Sequence, residues 1–326
     1  MLPTTASPFA LGVNYPWVHY GQDFGQTATE HTGVSIPATR QIVAEDFARI
    51  RDCGATVVRW FVFGDGRAGF LCDDGIPQRP DSFLIPDLEA ALEVAAQCEL
   101  KICFSLIDYL WLQDRGPQEG EPENRKVLQF AAGREALLEN VLLPVFRDFR
   151  GHPGLFAWEI ANEPEWAIRE FHPIPEAKMH IADFRAFATE IARAVHEFGN
   201  VPVTLGSARL LWTPAWREVG LDFYQAHFYP GSETEGGDIG VQLATIAKLD
   251  KPLWVGELPA SDPATAGYSL FSALDACREA ELHGAAVWRW RKPEPSGTDV
   301  AVGCVDAAAL KAWGKSERAH VRRAEA

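Results

Sequence analysis

Eight short apolar runs, separated by amphipathic stretches, constrain the fold of this chain more than any other feature. They are Phe9–Trp17, Thr56–Phe63, Lys101–Asp108, Leu155–Asn162, Val201–Gly206, Phe223–Tyr229, Pro252–Glu257 and Ala285–Trp290. Each is nearly continuous in apolar residues, as a strand covered on both faces must be. Between them, Ile181, Phe184, Ala188, Ile191 and Val195 step by three and four, which makes one helical stripe, and Gly199 follows as a stop signal. Ile42, Phe47 and Ile50 form a similar stripe before Gly54, and Leu88, Ala91, Leu92 and Ala95 form another. Leu270, Leu274 and Cys277 form one before Gly284, and Val241, Ile246 and Leu249 a shorter one. The stretch from Ala308 to Arg323 supplies a last helix, its Lys and Arg toward the end that the helix dipole favours. Strand–helix alternation implies a parallel sheet. Eight such units in 326 residues imply a closed (β/α)8 barrel, one domain spanning residues 1–326. A doubly wound open sheet is the structural rival. Long loops follow the first four runs (residues 18–42, 64–86, 109–133 and 164–176) on the strand-exit side, where barrels carry their sites.

Charge excludes some partners. With 30 basic against 45 acidic residues the net charge is −15, which repels phosphate backbones and anionic membrane surfaces. No run of apolar residues is long enough for a membrane span. The N-terminal MLPTTASPFALGVNY has neither the basic start nor the apolar stretch of a secretory signal. Cys53, Cys72, Cys98, Cys103, Cys277 and Cys304 show no CxxC spacing and read as reduced, mostly buried thiols. These features together point to the cytoplasm. The 11 Trp serve a core or stack on sugar rings. Trp17, Trp60, Trp111, Trp166, Trp212 and Trp216 lie near strand exits, where packing is the more frequent use. Trp111 and Trp166 follow strand ends most closely and are the better candidates for a cleft. Trp158 and Trp254 are mid-strand and read as core.

Two carboxylates end buried strands: Glu163 in LFAWEIANEP and Glu257 in PLWVGELP. A carboxylate there is costly to desolvate unless it has partners or a chemical task. A single one is as readily a salt-bridged or capping Glu. Two, at the exits of the fourth and seventh runs, face each other across one barrel mouth, as paired acid/base and nucleophile work requires. Gly64-Asp65-Gly66-Arg67-Ala68-Gly69 matches GxGxxG, but Pro77, Pro80 and Pro86 follow where a dinucleotide site needs a helix. Asp65 and Arg67 are instead expected in a loop lining the cleft.

WEIANEP resembles the fourth-strand signature of clan A glycoside hydrolases, family 5 in particular, a cellulase- and mannanase-like group. LWVGELP resembles the clan's seventh-strand motif. HFYP resembles its sixth-strand His-x-Tyr, VVRWF its second strand and AVWRW its eighth. The resemblance implies Glu163 as acid/base, Glu257 as nucleophile, and Asn162 on the sugar 2-hydroxyl. It further implies Tyr229 against the nucleophile, His227 beside the acid/base, Arg59 holding the nucleophile ionised, and Trp288 under the reacting sugar. One departure stands out. Where the family carries a third-strand His, this chain has SLIDYLW, and Asp108 either reaches the site in its place or caps the next segment. The expectation is a retaining β-glycosidase acting on small oligosaccharides or glycosides, with no metal or cofactor. The alternatives are an endo-β-mannanase or cellulase acting on polysaccharide, and a barrel that binds carbohydrate without cleaving it. Retention requires carboxyl groups about 5–5.5 Å apart. Burial and the charge of Glu257 are expected to raise the pKa of Glu163, and Arg59 to lower that of Glu257.

Overall fold

The computed structural model describes residues 9–114, 127–230, 239–245, 249–261, 267–291 and 304–324. Eight parallel strands close into a barrel: β1 (Ala10–Asn14), β2 (Val57–Phe61), β5 (Lys101–Asp108), β6 (Leu155–Asn162), β7 (Val203–Ser207), β8 (Tyr224–His227), β9 (Leu253–Pro259) and β10 (Gly284–Trp288). A separate antiparallel hairpin, β3 (Phe70–Asp73) and β4 (Ile76–Pro80), sits in the loop after β2. It follows the GxGxxG stretch directly, so no helix stands there to receive a dinucleotide. The third and fourth barrel strands keep the limits read from sequence; the others differ by one to three residues at an end. β1 pairs with both β2 and β10, which closes the ring, and β8 lies beside β9 as the closed topology demands. The open-sheet alternative is thereby excluded.

Helices α1 (Pro37–Asp52), α2 (Leu84–Gln97), α3 (Tyr109–Leu112), α4 (Ala131–Leu137), α5 (Leu143–Asp148), α6 (Ile181–Ala194), α7 (Ile239–Thr245), α8 (Leu270–Glu279) and α9 (Ala307–Ala324) lie between and after the strands. In α6, Phe184, Phe187, Ala188 and Ile191 are buried, which realises the stripe. The chain leaves that region at Asn200, not Gly199: Asn200 takes φ 52°, a left-handed stop that Asn tolerates. The α4–α5 segment escapes the sequence pattern because a π-helical turn, Leu138–Leu142, joins its halves and shifts the 3.6-residue phase. Ile246 of the short stripe and the acidic stretch 118–124 lie outside the described residues. Among the described residues no helix is long and apolar enough to cross a membrane.

The barrel interior has an apolar floor and a polar upper layer. Val57, Cys103, Ala157, Trp254 and Ala286 form one buried apolar cluster, drawn mostly from the early residues of their strands. Gly12 leaves the space that Trp254 fills, since a Cβ there would stand 2.8 Å from the indole. Above that floor Arg59, Ser105, Glu159, Gln225 and His227 are all buried and polar.

Candidate active site

The polar layer is organised around one guanidinium. Arg59, midway along β2, is fully buried, and all its N–H groups are used. Nε and Nη2 donate to the two oxygens of Glu159, both at 2.6 Å. Nη1 donates to Glu257 Oε1 at 2.7 Å and Asn14 Oδ1 at 2.9 Å, and Nη2 donates to Asn162 Oδ1 at 2.7 Å. Neither Glu159 nor Asn14 was singled out in the sequence. The signal for Glu159 is present: a carboxylate in the middle of a buried strand demands a cation, and Arg59, two strands away around the barrel, is unshared by any nearby acid in sequence. Glu159 and Asn162 are three residues apart, so a regular strand would point them to opposite faces. The β6–β7 register shifts between them, and this irregularity lets both reach Arg59. Asn14 also donates from Nδ2 to the carbonyls of Gly256 and Val287, which fastens β9 just before Glu257.

Glu163 follows the last residue of β6 at φ 49°, ψ 46°. This left-handed turn of a non-glycine residue ends the strand and costs about 1 kcal/mol or more. It sets the carboxylate between two neighbours. Trp166 Nε1 donates to Oε2 at 2.9 Å, and His227 Nδ1 lies 2.8 Å from Oε1. Across from it, the Tyr229 hydroxyl donates to Glu257 Oε2 at 2.6 Å. Oxygens of Glu163 and Glu257 approach within 4.8 Å of each other, with His227 Nδ1 in the same group. Those three residues are also where a cation would find ligand atoms among the described residues. Trp166, Arg59 and Tyr229 already donate one hydrogen bond each to these carboxylates.

Burial sets the protonation. It pushes Glu163 up to about 7; the Trp166 hydrogen bond and the charge of Arg59 oppose it, and Glu159 adds to it. Like charges thus act on both carboxylates: Glu159 raises Glu163, and Glu163 raises Glu257. Burial also raises Glu257, against the pull of His227, Arg59 and the Tyr229 hydrogen bond. The expected depression by Arg59 is present but outweighed by desolvation, since Arg59 is shared with Glu159. His227 is pushed down to about 4 by burial, so it is neutral near pH 7. Its Nε2 is buried and has no hydrogen-bond partner.

Asp108 caps the next segment and also touches Asn162. Its Oδ1 accepts from the Leu110 amide at 2.8 Å, capping α3, and its Oδ2 accepts from Asn162 Nδ2 at 2.8 Å. Asn162 is therefore gripped on both sides of its amide. Trp288 is half-buried at the end of β10, edge-on to Phe61 with ring centroids 6.3 Å apart. Trp166 lies against Glu163 through its indole N–H. Trp111 is not available to a sugar: it is 0% exposed, stacked on Phe70 and packed near Phe63. The hairpin after β2, invisible to the alternation pattern, supplies the ring that covers it. Asp65 and Arg67 pair with each other at 2.6 Å, and Arg67 lies over the Tyr20 ring. Glu165, also passed over in the sequence, is fully buried and accepts from Ser207 Oγ, the Ala208 amide and Trp216 Nε1. It ties the loop after β6 to the exit of β7.

No family model matches the chain. A mannan endo-1,4-β-mannosidase of Cryptopygus antarcticus is 25% identical over 164 residues, 49% of this chain and 39% of that protein, so the chain spans well under half of this curated relative's length. The solved β-1,4-D-mannanase from Cryptopygus antarcticus superposes with a TM-score of 0.76 at 20% identity, covering 95% of this chain and 90% of that one. The β-mannanase of the blue mussel Mytilus edulis gives 0.72 at 20% identity, covering 86% and 87%. An exo-β-1,4-mannosidase from Opitutaceae bacterium strain TAV5 gives 0.66 at 16% identity, covering 97% and 60%. The chain shares the (β/α)8 fold of these mannan- and mannoside-cleaving proteins, and in its strand-end motifs it resembles the clan A retaining glycoside hydrolases of family 5.

Proposed function

We propose that this protein is a retaining β-glycoside hydrolase, with Glu257 as nucleophile and Glu163 as acid/base. β-Mannosides are the first substrates to try, on the strength of the relatives' activities. The observation that carries the reading is the approach of the two carboxylates within 4.8 Å, the close spacing of a double displacement. The surroundings support the division of roles. Arg59 and the Tyr229 hydroxyl favour an anion at Glu257. Burial favours a proton on Glu163 near neutral pH.

In the first step Glu257 attacks the anomeric carbon, the glycosidic bond breaks, and Glu163 gives its proton to the departing oxygen. In the second, Glu163 takes a proton from water, the water oxygen bonds to the anomeric carbon, and Glu257 leaves as carboxylate. Neutral His227 and Trp166 hold the Glu163 oxygens in place through both. Asn162, its carbonyl on Arg59 and one amide hydrogen on Asp108, keeps the other amide hydrogen for a sugar hydroxyl. Trp288 lies on the opposite rim as the apolar platform. The six free cysteines support work in a reducing compartment such as the cytoplasm, on small glycosides. Extracellular activity that depends on a native disulfide would contradict that.

Hydrolysis of 4-nitrophenyl β-mannoside and β-glucoside, with the first-formed anomer read by proton NMR, tests the reading. A β product is expected. No hydrolysis of any β-glycoside, with the sugars still bound, would leave the non-catalytic alternative standing, and an α product would overturn retention. Glu257→Ala should stall every substrate. Glu163→Ala should still release acidic phenols and, with azide, give a β-glycosyl azide.

A further inference from the structure

A second cation stands at the mouth, apart from the Arg59 network. Arg209 lies just past the end of β7, beside the acid/base. Its guanidinium carbon is 4.7 Å from the ring centroid of Trp212 and 5.6 Å from that of Trp166, the same indole that donates to Glu163. The two indoles meet edge to face, 5.5 Å apart, and both are half-buried. Arg209 Nε is buried with no hydrogen-bond partner, and among the described residues the guanidinium makes no ion pair within 4 Å, although its charge acts on Glu163. That is notable in a chain with 45 acidic residues. The residue as a whole is only half-buried, and its two terminal nitrogens make no hydrogen bond among the described residues, so they are the donors left for a group from outside. The guanidinium fork matches a planar carboxylate, and the indole surface that Arg209, His172 and Phe171 leave uncovered on these half-buried rings suits the apolar face of a pyranose ring. Because Glu163 protonates the departing oxygen, groups packed against Glu163 and away from Glu257 hold the leaving group.

We infer that Arg209, Trp166 and Trp212 form a leaving-group subsite for a carboxylate-bearing sugar, a hexuronate. This rests on the retaining-hydrolase reading. The glycosyl-enzyme is then intercepted better by a sugar acid than by a neutral sugar, and the acceptor hydroxyl replaces water in the second step while Glu163 takes its proton.

Transglycosylation from 4-nitrophenyl β-mannoside to sodium D-glucuronate and to D-glucose reads the subsite. Glucuronate should be the better acceptor by about tenfold or more, and Arg209→Gln should bring the ratio to near one. Arg209→Lys, which keeps the charge without the fork, should fall between. Equal transfer to both acceptors by the native enzyme, or a preference that survives Arg209→Gln in a folded variant, overturns the assignment. Tryptophan fluorescence titrated with glucuronate, glucose and inorganic phosphate gives a second reading without turnover. Quenching by glucuronate alone supports the subsite. Equal quenching by phosphate makes it a bare anion site and overturns it. Absence of all turnover together with selective glucuronate binding would sink the hydrolase reading and leave the subsite intact.

Discussion

At the scale of single residues, the site is a set of carboxylates made unequal by their neighbours. Glu159 and Glu257 share Arg59, while Glu163 is left with an indole and a neutral imidazole. A proton on Glu163 is therefore lost as pH rises through about 7, and with it the acid form needed for the first step. The pH profile of kcat/KM for a substrate with a poor leaving group should fall above about 7. In Glu163→Ala, measured with a dinitrophenyl glycoside that needs no acid, that basic limb should vanish. Its persistence would assign the limb to another group. Glu159→Gln leaves Arg59 buried with one anionic partner instead of two. Removing one partner of a buried pair costs about 3–5 kcal/mol, so the urea midpoint should drop by a corresponding amount. Activity should fall as well, because Arg59 also positions Glu257 and Asn162. Glu163 and Glu257 were legible because each ends an apolar run. Glu159 was not, because it sits inside one and its meaning depends on Arg59 a hundred residues earlier. Arg209 follows β7 with no motif around it, and only the folded chain brings it to Trp166.

At the scale of elements, strands were legible and their connections were not. Apolar continuity identifies a strand buried on both faces, and the eight barrel strands were all found that way. The β3–β4 hairpin has no such signature, since Cys72, Asp73, Gln78 and Arg79 are partly or wholly exposed. Missing it placed Trp111 in the cleft. β7 shows how closely the strands are fitted. A Cβ on Gly206 would stand 2.5 Å from Glu159 Oε1, 3.0 Å from Gln225 Nε2 and 3.2 Å from His227 Nε2. Gly206→Ala should therefore push Glu159 away from Arg59 and disturb His227, lowering kcat by tenfold or more on the order expected for a misplaced catalytic group. Its KM should change less than kcat. A variant with native kcat would show that the three side chains adjust freely.

For the whole molecule, closure is the organising fact. β1 pairs with both β2 and β10, so the last barrel strand completes the sheet that the first one starts. We expect residues 1–326 to melt as one unit, seen as a single calorimetric peak with matching calorimetric and van't Hoff enthalpies. Two separated peaks would mean independent domains. Closure also sets two strand ends, β6 and β9, on opposite sides of one mouth, and the proposed chemistry depends on that placement. The most direct measurement is to trap the enzyme with a 2-deoxy-2-fluoro-β-mannosyl fluoride and locate the label by peptide mass mapping. The account predicts one glycosyl group on the peptide containing Glu257, released as the β anomer when water is allowed to complete the reaction. A label on Glu163, or turnover with an inverted product and no covalent adduct, would contradict it.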